Sequence, residues 1–86
     1  MSSKILLINT LIQIIKDLHY GKKEEARSKL NKMKKMIEGL NPKLQKDVQN
    51  FIIQVTFELD YDPNHLVTEE IKKAADKLLR DLGGPQ

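Results

Sequence analysis

An all-α fold is predicted, a compact bundle of four short, mostly antiparallel helices in one domain spanning residues 1–86. Three observations predict it. Apolar residues recur at helical spacing in four segments. Helix-start and helix-stop residues punctuate those segments where the periodicity breaks. The one stretch that also alternates like a strand has no second strand in the chain to pair with. The predicted helices cover about residues 3–20, 22–39, 42–60 and 68–82, and their short connections favour antiparallel neighbours.

The first segment carries Ile5, Leu7, Ile8, Leu11, Ile12, Ile14, Ile15 and Leu18. At 100° per residue these fill an arc of about 180°, wide enough to touch two or more helices. It is therefore expected to be the most buried helix, with Asn9, Gln13 and Lys16 on its polar side. Gly21 should end it, because glycine takes the left-handed position after a helix without penalty. In the second segment a narrow stripe, Ala26, Leu30, Met33, Ile37 and Leu40, runs along an otherwise charged rod. This helix should be the most exposed. Glu24 and Glu25 favour its first turn, where the helix dipole is positive. Gly21 and Ala26 have the spacing found at a tetratricopeptide turn. The rest of that pattern is missing and no second repeat follows, so the spacing indicates only a helical hairpin.

Asn41 followed by Pro42 is a cap and first-turn pair that opens the third segment. Its stripe is Leu44, Val48, Phe51, Ile52, Val55 and Leu59. Phe51 to Leu59 also alternates and is rich in β-branched residues. The capped start leads straight into this stretch, and helix is the reading. Pro63 breaks the chain before the fourth segment, where Thr68 is the N-cap and Ile71, Ala74, Ala75, Leu78 and Leu82 form the apolar face. Gly83-Gly84-Pro85 stops it.

Composition narrows the function classes. The chain contains no cysteine, which excludes disulfides, thiolate metal sites and thiol chemistry. No apolar run reaches the roughly 18 residues needed to cross a bilayer. The only charges on the polar side of the first helix are Lys4, Lys16 and Asp17, so it lacks the cationic flank of an interfacial helix. No membrane association is expected, and the expected location is the cytoplasm. Glycine-rich phosphate loops, nucleophile elbows and paired zinc-binding histidines are missing. The chain is thus expected not to be an enzyme, and no cofactor or small-molecule substrate is expected. His19 and His65 have no ligand-spaced partner. Asp60-Tyr61-Asp62-Pro63-Asn64 opens like a calcium loop, but His65 replaces the turn glycine and Ile71 the closing glutamate. It reads as a solvated acidic corner.

Two surfaces remain. Ile53, Phe57 and Tyr61 recur every four residues on the side of the third helix opposite its main stripe. If the fourth helix does not cover them, they form a contact patch for a protein partner or a second copy of the chain. The expected function follows: a protein-interaction or accessory module, a homodimer or a small subunit of a larger assembly, with lysines of the second helix steering an acidic partner. The alternative is a small nucleic-acid-binding protein. Net charge is +3, and residues 20–50 hold nine Lys/Arg against four Asp/Glu. Lys32 and Lys35 would then hold phosphates, while Lys43, Gln45, Lys46 and Gln49 would reach base edges from a helix-turn-helix corner at residues 39–42. Against this, thirteen of the fifteen basic residues are Lys and only two are Arg, although Arg is the better bidentate reader of phosphate and base.

Overall fold

The structure, a computed structural model, describes residues 3–61 and 67–83. Four α-helices are present among them: α1 (Ser3–His19), α2 (Lys23–Lys35), α3 (Pro42–Tyr61) and α4 (Glu69–Asp81), with a 3-10 turn at Ile37–Gly39 between α2 and α3. The described chain contains no strand, so the alternating stretch from Phe51 to Leu59 is helical. No described helix is long and apolar enough to cross a membrane.

The predicted caps account for the boundaries. Asn41 Oδ1 accepts the Leu44 amide at 2.9 Å, and Thr68 Oγ1 accepts the Ile71 amide at 3.2 Å. Gly21 sits at φ +71°. The Lys22 amide donates to the Asp17 carbonyl at 2.7 Å and the Gly21 amide to that of Leu18 at 3.2 Å, the paired bonds of a Schellman turn. One boundary differs from expectation: α2 stops at Lys35 rather than continuing to Gly39. The Met36 and Leu40 amides reach back only three residues, to Met33 and Ile37, which tightens the chain into a 3-10 turn. The Gln45 side chain fixes the tighter geometry by donating to the Ile37 and Leu40 carbonyls at 3.2 and 2.9 Å.

Close backbone packing follows chain order, with α1 on α2, α2 on α3 and α3 on α4. One hydrophobic core joins all four helices. Leu7, Leu11, Ile14 and Leu18 enter it from α1, Ala26, Leu30 and Met33 from α2, and Ile71, Ala74, Ala75 and Leu78 from α4. The α3 stripe is buried as expected, with Phe51 at its centre. α2 buries the fewest residues. α1 does not hold the most buried place. Ile5 and Ile12 are exposed, and Ile8 and Ile15 are only half-buried. The physical reason is the packing order: α1 has a close backbone neighbour on one side only, whereas α3 lies between α2 and α4.

Ion pairs tie the helices across their seams. Lys29 bonds Asp17 between α2 and α1, and Arg27 meets Asp60 at 2.5 Å between α2 and α3. At the α3–α4 seam, Lys77 Nζ lies 2.9 Å from Asp47 and 3.3 Å from Asp81, and Lys43 lies 3.5 Å from Asp81. A hydrogen bond shared with the Asp47 carboxyl, then the Lys77 ammonium and the Lys43 charge, pulls Asp81 down from 3.8 to about 2. The same two carboxylates raise Lys77 above 10.5. A depressed carboxyl stabilises the fold above its unfolded pKa, and that contribution disappears as pH falls through the folded value. A raised amine stabilises below its unfolded pKa and loses its contribution as pH rises through the folded value. Thermal melts across pH 2–11 should therefore show the gap between the wild type and Asp81→Asn closing from about pH 4 down to about 2. The gap between the wild type and Lys77→Met should close above pH 10.5.

Candidate protein-contact surface

The exposed side of α3 is set by helix geometry. Ile53, Phe57 and Tyr61 are four residues apart, so their side chains stack along one ridge. The core stripe Phe51, Ile52, Val55 and Leu59 takes the other side of the same helix. α4 packs on α3 but leaves the ridge open: Ile53 is 63%, Phe57 57% and Tyr61 74% exposed. Phe57 and Tyr61 touch, with ring centroids 4.8 Å apart and planes tilted by 36°. That contact limits the rotamer freedom of both rings, and so lowers the entropy lost when a partner covers them. Lys34, at the end of α2, borders the same shallow depression together with Thr56 and Asp60. Asp60 is already engaged by Arg27. The charge left beside the apolar ridge is therefore the Lys34 ammonium.

The residues of the nucleic-acid alternative are arranged differently. Lys43, Gln45, Lys46 and Gln49 do line one depression at the start of α3. Two of them have structural partners. The Gln45 amide caps the Ile37 and Leu40 carbonyls, and Lys43 pairs with Asp81. Lys32 and Lys35 are exposed on α2, a helix that also carries Glu24 and Glu25. Of the calcium-like segment, Asp62, Pro63 and Asn64 lie outside the described residues, as does His65. Among the described residues no three His, Asp or Glu side chains converge as metal ligands.

A third surface was not anticipated. α1 and α4 make no close backbone approach comparable to the other neighbours. Between them runs an open groove of about 650 Å³, walled by Leu11, Ile12 and Ile15 of α1 and by Ala75 and Leu79 of α4, with Lys16, His19, Tyr20, Lys72 and Asp76 also lining it. A signal for it existed in the sequence. Beside the buried row of Leu7, Leu11, Ile14 and Leu18, α1 has a second row of Ile5, Ile8, Ile12, Ile15 and His19, spaced three and four residues apart. Such spacing makes a continuous helical seam. One wide arc was in fact two separate rows.

The fold and surfaces define a class: a small all-α domain with an uncovered aromatic ridge on a central helix and an apolar groove between its outer helices. Compared with known proteins, the chain matches no protein-family model, no curated protein and no solved structure at a significant level.

Proposed function

We propose that the chain is a protein-interaction module, an accessory component of a larger assembly, whose contact surface is the α3 ridge of Ile53, Phe57 and Tyr61. The observation that carries this reading is the exposure of all three side chains on a helix whose other side is fully packed. Aromatic residues held in a rigid frame are the usual energetic anchors of interfaces. A lysine at the edge steers an acidic partner without being buried. The partner that fits is a protein surface with an apolar depression for the two rings and carboxylates beside it.

Nucleic-acid binding is the second reading, carried by the single depression that gathers Lys43, Lys46 and Gln49. It is the weaker one, because Gln45 and Lys43 are engaged within the fold.

Affinity capture on the tagged chain, with nuclease and at moderate salt, separates the readings when wild type and Phe57→Glu are run side by side. A stoichiometric protein held by the wild type should fall at least about tenfold with Phe57→Glu, since a carboxylate in an apolar contact is desolvated without a partner. Circular dichroism should show both chains equally folded. Material that vanishes with nuclease, or that Phe57→Glu retains in full, would reject the ridge as the working surface.

A further inference from the structure

We infer that the groove between α1 and α4 is the contact face of a symmetric homodimer, in which a second copy of this chain lays its own α1 over the α4 of the first. The inference is independent of the α3 ridge and uses none of its residues.

Its basis is self-complementarity in shape and charge. The outer row on α1 runs from Ile5 to His19, about 21 Å at 1.5 Å per residue. Ile5 is 56% and Ile12 43% exposed. The groove takes the part of this row from Ile12 to His19, and the exposed Ile5 continues it beyond the groove, as a helix of four turns would cover and a compact small ligand would not. The groove walls also carry one unpaired charge of each sign. Lys16 on α1 and Asp76 on α4 both line the groove, both are exposed, and neither side chain has an ionic or hydrogen-bonding partner among the described residues. Lys72, the other α4 cation in the groove, is paired with Glu69 within α4.

Symmetry relates these features. The seam pairs Asp17–Lys29, Arg27–Asp60 and Lys43–Asp81 place the end of α1, the start of α2, the end of α3 and the start of α4 at one end of the molecule. α1 and α4 therefore run in opposite directions along the groove. A two-fold axis running along the groove, parallel to the helices, sets the α1 of one copy over the α4 of the other, antiparallel to it and at the same height. Every contact then occurs twice. The isoleucine row of each α1 meets Ala75 and Leu79 of the opposite α4, and each Lys16 comes within reach of the opposite Asp76.

Sedimentation equilibrium on the full chain, with Lys16→Glu, Asp76→Lys and the double variant, tests this directly. Both positions are exposed, so the variants should keep the wild-type circular dichroism spectrum. Each single change should weaken dimerisation about tenfold or more by placing like charges together. The double change restores opposite signs and should recover the wild-type constant to within about threefold. A wild type that stays monomeric up to millimolar concentration overturns the inference. So does a dimer indifferent to both single changes, or one that Phe57→Glu dissociates, which would move the contact to the α3 ridge. Failure of the capture experiment on that ridge leaves the sedimentation result unaffected.

Discussion

Replacing Phe51 by alanine should cost about 3–5 kcal/mol, the range for truncating a buried aromatic whose site only partly collapses. Phe51 is fully buried at the centre of the α3 stripe. The stability of a domain is typically only about 5–15 kcal/mol, so the variant should be marginal, with a urea midpoint far below that of the wild type. Phe57→Ala is the matched control, with the same residue type on the same helix less than two turns away. Phe57 is more than half exposed, and its truncation should cost about 1 kcal/mol or less. Equilibrium urea titrations of both variants, followed by circular dichroism, measure the contrast. Equal losses would mean that Phe57 is covered in solution and that the α3 ridge is no free surface.

The second large effect should come from Lys77→Ala. Asp47 is 8% exposed, and its Oδ2 has no hydrogen-bond donor among the described residues. Lys77 is the ammonium that meets Oδ1 of the same group. Removing it leaves a buried carboxylate beside Asp81 with its nearest cation gone. The expected result is a clear fall in melting temperature, since a buried polar group is left unsatisfied, though less than for a fully buried pair because Lys77 itself is exposed. In the Lys77→Ala background, Asp47→Leu should recover most of that loss, since an apolar side chain of similar size has no charge to solvate. Thermal melts at pH 7 on the single and double variants decide it. A double variant less stable than Lys77→Ala alone would show that Asp47 contributes by some route other than its pairing with Lys77.

Helix existence and type were legible because each helix carries its own instructions. Asn41 and Thr68 cap where their side-chain oxygens suggested, and Gly21 has the positive φ that its place after α1 implied. The inner rows of α3 and α4 were also readable, since 3.6-residue periodicity is a property of one helix. What depends on two helices was not. The width of the α1 arc gave the number of apolar residues but not the number of neighbours, and α3 took the central place instead. The end of α2 depended on Gln45, a side chain eight residues beyond the carbonyl of Ile37 that it holds. The two unpaired charges of the groove could be recognised only after Asp17, Asp47, Asp60 and Asp81 had taken their own partners across the seams. The ridge on α3 was visible as a pattern. Its exposure was not, because that turned on where α4 lay.

Packing in chain order also governs how the chain reaches this state. Each helix rests chiefly on the one before or after it, so most native contacts close short loops. Loop-closure entropy grows with the length of chain enclosed, and little of it opposes the first encounters here. Low contact order of this kind accompanies folding on the microsecond-to-millisecond scale. α1 and α4 each have one close neighbour, and their loss leaves α2 and α3 still in contact. Amide exchange should accordingly be fastest in the two outer helices and slowest along the Val48–Val55 stretch of α3.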